Sequence, residues 1–265
     1  RGADAAGLDA RLADALDRLV GQGFLDRDGE TLESRPLGEL ASRYYLRLPT
    51  ARTFADLAEA GAPETAAILR AVARAAEFDS VSQRSDEEEA VEAVLGASAT
   101  DLDPGPRKVL SILRSGMRGT TPAALLSDAW AIRQNAGRLF AALGAICERL
   151  DGPASANRVR RVAARVETGV DADAVGLTAI DGVGERRAAA LAEAGIYTPA
   201  DVAEAGEAGV TAAGVSEQVA ERVVTNARDL PAVAVDWEGV PDTIRRGENA
   251  MAEVTVGSTA GSARA

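Results

Sequence analysis

The sequence contains no histidine, one cysteine and one lysine, and only 3% of its 265 residues are aromatic. Without histidine there is no Ser-His-Asp or Cys-His triad and no imidazole ligand for zinc. The lone Cys147 cannot form an internal disulfide or a thiolate metal cage, which favours a reducing compartment. No carboxylate pair or phosphate-binding loop stands out. We therefore expect no catalytic residue, no metal site and no cofactor within this chain.

Positive charge is also scarce. The chain has 41 Asp and Glu against 29 Lys and Arg, and every basic residue except Lys108 is an arginine. A net charge of -12 argues, at face value, against a polyanionic partner. This composition is also typical of proteins from a cytosol at very high salt, where the Debye length falls to about 3 Å near 1 M. An acidic protein from a high-GC genome is the alternative interpretation.

Long hydrophobic runs are missing as well. No stretch approaches the roughly 20 apolar residues of a membrane span, and no signal peptide is visible. We therefore expect a cytoplasmic protein without a membrane partner. Because the sequence begins at Arg1 rather than at methionine, we also expect a fragment of a longer protein.

The hydrophobic periodicity is mostly helical, which predicts a mainly α fold. We divide the chain into four segments: residues 1–35, the end of a winged-helix domain; 36–170, a bundle of six to eight helices; 171–231, short helices separated by glycines; and 232–265, an irregular tail. The first segment is predicted to contain a helix over 8–21 and a hairpin that turns at Asp28-Gly29. The tail is predicted to contain one unpaired strand, Ala252–Val256, as the possible start of a β domain.

Local signals predict where several helices of the bundle begin and end. The helix opened by Pro36 is predicted to include Tyr44 and Tyr45. Thr50 is predicted to cap the next helix, and Ser85 with Glu88 matches the capping-box pattern.

The segment Leu177–Ile196 resembles a helix-hairpin-helix motif. In such a hairpin, glycines allow a tight turn that directs backbone N–H groups outward at the start of a helix, where they can bind phosphate. The predicted phosphate-binding residues are Gly182, Val183, Gly184, Arg186 and Arg187. The hairpin can instead serve as a folding unit or a protein contact. A degenerate second copy at Ala213–Glu217 is interpreted as scaffold.

A long helix is predicted from Ser127 to about Leu150, with Cys147 in its apolar stripe. The opposite face carries Trp130, Gln134 and Arg138, with Arg133 beside it. Two interpretations remain open. Flat and cationic side chains can stack on nucleobases. Alternatively, small residues, among them Gly137, admit another helix closely, which periodicity alone favours.

Four segments in this order resemble one family, the superfamily-two DExH-box helicases that contain a ratchet domain. The segments are Arg35–Leu46, Ala76–Arg84, Gln134–Leu139 (the family's "QNAGRL" helix) and the helix-hairpin-helix at Leu177–Ile196. The resemblance covers about residues 8–230. Over this range the chain is similar to archaeal fork-repair helicases and their spliceosomal relatives.

The resemblance implies the C-terminal region of a haloarchaeal DNA-repair helicase that moves 3′ to 5′ on single-stranded DNA. ATP and Mg would bind two RecA-like motor domains outside this chain. The long helix would be the ratchet helix, with Trp130, Arg133, Gln134 and Arg138 towards the strand, so the resemblance favours the stacking interpretation. The implied partners are single-stranded or branched DNA, the motor domains of the same protein, and repair proteins.

Two alternatives remain open at this point. The chain could be a protein-interaction module of a repair complex, or the equivalent arm of an RNA helicase, since backbone contacts alone need not distinguish RNA from DNA.

Overall fold

The computed structural model describes residues 5–29, 31–231, 233–238 and 253–258. It divides into two compact units, residues 1–169 and residues 170–265. The described residues form eleven α-helices and four short strands, which confirms the predicted mainly α fold. Among these helices, none combines the length and apolar character needed to cross a bilayer.

The first unit begins with helix α1, a small hairpin and then seven helices. The elements are α1 (Ala5–Gly21), β1 (Leu25–Asp28), β2 (Thr31–Ser34), α2 (Pro36–Arg43), α3 (Leu48–Glu59), α4 (Thr65–Ala73), α5 (Glu88–Leu95), α6 (Pro104–Gly116), α7 (Leu126–Leu150) and α8 (Pro153–Thr168). The predicted first helix and hairpin are confirmed. The turn starts at Gly29, one residue later than predicted, because Asp28 still pairs with Thr31 in the antiparallel ladder.

Helix α7 lies at the centre of the first unit and packs against α2, α3, α4, α6 and α8. Its predicted apolar stripe is buried, from Ile132 to Cys147, whereas Leu150 is 40% exposed. Each fully buried Leu or Ile contributes about 1.5–3 kcal/mol of hydrophobic free energy. Burial also raises the pKa of Cys147 to about 11, so its thiol stays protonated at neutral pH. The predicted core role of Cys147 is confirmed.

The start of α3 differs from the prediction. The helix begins at Leu48 with Pro49 in its first turn, and Thr50 lies inside it rather than at the cap. Proline suits this turn because its φ is already helical and its missing N–H is not needed there. Thr50 is buried, so its hydroxyl pairs with protein groups instead. It donates to Glu77 Oε2 (2.5 Å) and accepts from the N–H of Ala76 (2.9 Å).

The predicted capping box is displaced by one residue. Glu87, not Glu88, accepts the N–H of Arg84 (2.8 Å) at the start of a 3₁₀ turn that precedes α5. Glu87 is fully buried because its other oxygen accepts from Lys108 Nζ (2.7 Å). Lys108 also donates to Asp128 (2.5 Å) in the first turn of α7. The only lysine of the sequence is therefore a buried cation that joins three elements.

The end of α2 also differs from the prediction, because neither Tyr44 nor Tyr45 belongs to the helix. Tyr45 has a φ of +51°, and the N–H of Leu46 donates to the carbonyl of Ala41 (2.8 Å). The N–H of Tyr45 donates to Ser42 (3.2 Å), which completes a Schellman C-cap. Glycine or asparagine is usual at this left-handed position, and another residue costs about 1–2 kcal/mol there. No helix-propensity argument places a tyrosine at such a position.

The second unit contains three helices and a strand pair: α9 (Glu185–Glu193), α10 (Pro199–Ala212), α11 (Glu217–Asp229), β3 (Val233–Glu238) and β4 (Glu253–Ser258). A 3₁₀ turn, Val175–Ala179, precedes α9, and α10 is interrupted at Gly206, where φ is +62°. The helices share an apolar core that includes Leu177, Leu191 and Val223.

The predicted strand near the end of the sequence is present as β4. It pairs antiparallel with β3, so Val233 lies opposite Ser258. The prediction of an unpaired strand in an irregular tail is therefore wrong at this point. A local pattern does not reveal a partner strand that lies many residues away. The other residues of the predicted tail, 232, 239–252 and 259–265, lie outside the described part of the chain.

Candidate nucleic-acid interface

One face of α7 carries no other helix among the described residues of the first unit. Trp130 is 73% exposed, and Gln134, Gly137 and Ala141 are exposed on the same side. A Cβ atom placed on Gly137 would meet no heavy atom within 4 Å. Close helix packing against this face, which periodicity alone favours, is therefore absent among the described residues of the first unit.

A groove of about 400 Å³ runs between this face and α8. Its lining residues are Trp130, Arg133, Gln134, Gly137, Phe140, Ala163, Val166 and Glu167. Three of the four predicted ratchet-helix residues therefore lie together, with Trp130 and Arg133 supplying a flat ring and a cation. The Nε of Arg133 donates to the carbonyl of Ala129 (3.4 Å), which keeps the side chain along the helix. Such a combination can stack bases and attract phosphate.

Arg138, the fourth predicted residue, contacts the protein instead. Its Nη1 donates to the carbonyls of Tyr44 (2.6 Å) and Tyr45 (3.1 Å), and its Nη2 donates to Asn135 Oδ1 (2.9 Å). The guanidinium thus binds the carbonyl end of α2, where a cation is favourable for the helix dipole. In this structure Arg138 stabilises the end of α2 rather than lining the groove.

The first hairpin of the second unit is built around two glycines with different roles. Gly182 has a φ of +89°, which favours glycine, whereas Gly184 has a φ of -95°, which any residue can adopt. Val183 is buried and its N–H donates to the carbonyl of Ile180 (3.0 Å), so its side chain and amide serve the fold. Within the described chain, no hydrogen-bond acceptor is present for the N–H groups of Gly184, Glu185 and Arg186. These three amides are the donors that a helix N-terminus offers to an anion.

The charged groups of this hairpin are mixed. Arg186 is exposed, whereas Arg187 Nη1 donates to the carbonyl of Gly182 (2.6 Å) and so stabilises the turn. Glu185 is exposed at the first position of α9. Its carboxylate suits the helix dipole and competes with any anion bound there. Of the two predicted arginines, Arg186 therefore has more freedom to contact phosphate.

A second hairpin repeats the first with high fidelity. Gly214 has a φ of +87°, Val215 is 5% exposed and Ala220 is fully buried, which matches Gly182 (+89°), Val183 (5%) and Ala188 (0%). The two hairpins line one groove of about 610 Å³. The lining residues are Gly184, Glu185, Arg186, Arg187, Ala190, Gly214, Val215 and Ser216. This copy, predicted to be scaffold, lines the same groove as the first hairpin.

Helix α8 is basic, a property that the sequence-based predictions do not include. Helix α8 contains four arginines and a single acidic residue, Glu167, within a chain of net charge -12. Arg160 forms an ion pair with Glu148 of α7. At 3.6 residues per turn, Arg158, Arg161 and Arg165 lie on the side of α8 opposite the groove. The local excess of arginine in the sequence was the signal for this basic surface.

Comparison with known proteins adds independent findings. A family model described as the Sec63 Brl domain matches residues 34–257. The "ATP-dependent DNA helicase Hel308" of Pyrobaculum calidifontis is 27% identical over 245 residues, which cover 87% of this chain and 34% of that protein. The "Activating signal cointegrator 1 complex subunit 3" of Bos taurus is 32% identical over 151 residues, and the human protein is 31% identical. These 151 residues cover 54% of this chain and 7% of each of those proteins. The chain therefore spans about a third or less of the length of these relatives.

Proposed function

The chain belongs to the Sec63 Brl domain family, and from this premise we propose that it is the C-terminal accessory region of a superfamily-two DNA helicase. In this role it contacts single-stranded or forked DNA while the motor domains of the same protein unwind the duplex. ATP and Mg bind to those RecA-like motor domains, and this chain hydrolyses no nucleotide by itself. The similarity to the ATP-dependent DNA helicase of Pyrobaculum calidifontis supports the proposal.

The observation that carries the proposal is the exposed face of α7. A tryptophan that is 73% exposed is unusual for a folding role, because burying an aromatic ring is strongly favourable. Trp130 lines a groove together with the guanidinium of Arg133 and the amide of Gln134. Gly137 leaves this groove open, because a Cβ atom at its position would meet no heavy atom within 4 Å. These are the features of a surface on which a single strand stacks its bases and brings its backbone close.

The two hairpins of the second unit provide a backbone contact in this proposal. Free amides at the start of α9 and the exposed Arg186 suit a phosphate group. Such contacts bind the sugar–phosphate chain without recognising its sequence. We therefore expect the two hairpins to contribute affinity but no base preference.

The proposal extends to a role in DNA repair in a haloarchaeon, and the acidic composition supports a halophilic source. If the 41 acidic residues are an adaptation to high salt, screening their repulsion should stabilise the fold. We expect the midpoint of thermal unfolding to rise steadily as KCl increases from about 0.1 to 2 M. A midpoint that is unchanged or falls over this range would argue for an ordinary acidic protein.

The direct test of DNA contact is fluorescence anisotropy with labelled single-stranded and forked DNA. We expect this chain alone to bind DNA weakly, because the motor domains of the proposed helicase supply the remaining contacts to the strand. Trp130→Ala should weaken this binding by about 5- to 100-fold, the range for loss of one stacked base. Tyr197→Ala is the matched control, since Tyr197 is a 44% exposed aromatic residue that lines neither groove. Equal affinities for both variants and the unaltered chain would contradict the proposal.

A protein-interaction role is the second candidate, and one observation favours it. Leu8 and Leu12 on α1 are 63% and 56% exposed, which leaves an apolar surface on that helix. A stable protein partner combined with no DNA binding at any salt concentration would favour this role. Competition between DNA and RNA of the same sequence separates a DNA helicase from an RNA helicase.

A further inference from the structure

Tyr45 combines two properties that folding alone disfavours. Its backbone is left-handed, at the helix-end position that glycine usually occupies. Its side chain is 85% exposed, whereas all four phenylalanines of the chain are buried. A glycine or asparagine would remove both the backbone strain and the exposed ring. The stability of the fold therefore gives no reason for an aromatic ring here, and strained residues of this kind concentrate at functional sites.

The contacts of Arg138 connect the backbone of Tyr45 to the exposed face of α7. Trp130, Gln134 and Arg138 are four residues apart, so they form one row along the helix. Arg138 lies about 12 Å along the axis from Trp130, at a rise of about 1.5 Å per residue. Its guanidinium donates to the carbonyls of Tyr44 and Tyr45. The row therefore begins at one exposed aromatic residue and ends at another.

The two edges of this face differ. Arg133 and Gly137 lie towards α8, where the groove is, whereas Arg138 lies towards the end of α2. A strand that follows α7 would therefore have α8 on one side and Tyr45 on the other. At about 3.4 Å per stacked nucleotide, 12 Å corresponds to three or four nucleotides.

We infer that Tyr45 is a second stacking site for a nucleobase of a single strand lying along α7, and that Arg138 is a positioning residue that holds it there. The inference rests on the proposed function, because it concerns the same strand. Aromatic side chains on which bases of one strand stack are the usual basis of sequence-tolerant single-strand binding. The ligand is therefore a single-stranded nucleic acid of any sequence.

The test uses the complete 265-residue chain and a fluorescent oligothymidylate. Tyr45→Phe keeps the ring, and Tyr45→Asn removes it while tolerating the left-handed backbone. We expect Tyr45→Phe to leave Kd unchanged and Tyr45→Asn to raise it by about 5- to 100-fold. The thermal midpoint of Tyr45→Asn should equal or exceed that of the unaltered chain, which separates lost binding from lost folding.

A strand of abasic nucleotides provides a readout that a structural role would not change. If Tyr45 stacks on a base, the difference between Tyr45→Phe and Tyr45→Asn should vanish on the abasic strand. Arg138→Ala should weaken binding to oligothymidylate, and the double variant Arg138→Ala with Tyr45→Asn should be no weaker than Tyr45→Asn alone. Additive losses would overturn the positioning role of Arg138.

The two proposals fail in different ways. If Trp130→Ala weakens binding and Tyr45→Asn does not, the inference is overturned and the proposed function stands. Tyr45 also lines a groove of about 340 Å³ together with Phe24 and Leu48. If Tyr45→Asn leaves DNA binding unchanged, the ring is therefore assigned to a contact with a protein. If the unaltered chain binds no strand at all, both the proposed function and the inference fail.

Discussion

At the scale of single residues, the two glycines of the first hairpin separate folding from binding. Gly182 needs its positive φ for the turn, whereas Gly184 has an ordinary extended backbone and nothing within 4 Å of the position of a Cβ atom. A glycine at the second position is therefore not required by the fold. Open space beside free amides is what a backbone phosphate would need in order to approach.

We predict that Gly184→Ala folds normally and binds DNA less well. Gly182→Ala should lower the free energy of unfolding by about 1–2 kcal/mol, because alanine is strained at positive φ. Gly184→Ala should change it by less than about 0.5 kcal/mol. Denaturant unfolding measures both, and anisotropy with forked DNA measures binding. Unchanged binding by Gly184→Ala would argue that the hairpin only packs.

Lys108 shows how one residue can hold several elements together. Its side chain is 2% exposed and contacts the fully buried Glu87, Asp128 of α7 and the carbonyl of Ser82 (3.2 Å). Arg84 also pairs with Glu87 (2.6 Å), so the buried carboxylate has two cationic partners. The network fixes the first turn of α7, two residues before Trp130.

We predict that Lys108→Met lowers the free energy of unfolding by about 3–5 kcal/mol, because it leaves buried charge without its main partner. Adding Glu87→Gln to that variant should recover part of the loss. Urea unfolding of the two single variants and the double variant gives the coupling energy between the residues. If the losses of the single variants simply add, the two side chains do not stabilise each other.

At the scale of elements, α7 has a buried side that holds the first unit together and an exposed side that is open. The contrast is visible in two glycines. A Cβ at Gly137 would meet nothing, whereas a Cβ at Gly38 in α2 would lie 2.2 Å from the carbonyl oxygen of Phe24. Gly38 is therefore required for packing, and Gly137 is not.

We predict that Gly137→Ala raises the free energy of unfolding by about 0.5–1 kcal/mol, because alanine is the better residue inside a helix. Gly38→Ala is the matched contrast and should destabilise, because backbone must move to accommodate it. Thermal unfolding measures both. A destabilised Gly137→Ala would mean that another element packs on this face.

At the scale of the whole molecule, pH dependence should follow from the residue types that are present and absent. The pKa values of four aspartates are lowered, chiefly by hydrogen bonds from Arg70 to Asp101, Lys108 to Asp128, Ser155 to Asp151, and the backbone N–H of Tyr197 to Asp201. A carboxyl with a lowered pKa stabilises the fold above its unfolded value, near 3.9, and this contribution disappears as pH falls through the lowered value. Cys147 acts in the opposite direction. Because burial raises its pKa to about 11, its stabilising contribution is present below the unfolded value and is lost as pH rises towards 11.

We predict a thermal midpoint that is nearly constant between about pH 6 and 8, because no histidine titrates there. The midpoint should fall below about pH 4, and it should also fall above about pH 8.5 as the unfolded thiol ionises. Differential scanning calorimetry across the pH range checks this profile. Cys147→Ala should flatten the alkaline side, and Asp128→Asn should reduce the acid side. A steep change of the thermal midpoint near pH 6.5 would contradict this prediction.

Much of the fold could be predicted from the sequence because it depends on local patterns. Apolar periodicity located α1 and α7, and Pro36 marked the start of α2. The strained position of Tyr45 could not be predicted, since its conformation follows from the Schellman bonds and the guanidinium of Arg138, more than 90 residues away. The capping residue is Glu87 rather than the predicted Glu88 for a similar reason, because Glu87 is the carboxylate that pairs with the buried Lys108.

The candidate site divides in the same way. The motif at Gly182–Gly184 and the grouping of Trp130, Gln134 and Arg138 on one face of α7 were predictable, because turn chemistry and helix periodicity are encoded within a few neighbouring residues. The second hairpin repeats the first 32 residues later, and four arginines lie within α8. Both features can be recognised in the sequence. The sequence by itself determined the helical architecture, the first hairpin and which side chains share a face of α7. Only tertiary structure decided that Trp130 stays exposed, that Arg138 binds the end of α2, and that Lys108 is buried, because each depends on which distant groups are packed alongside.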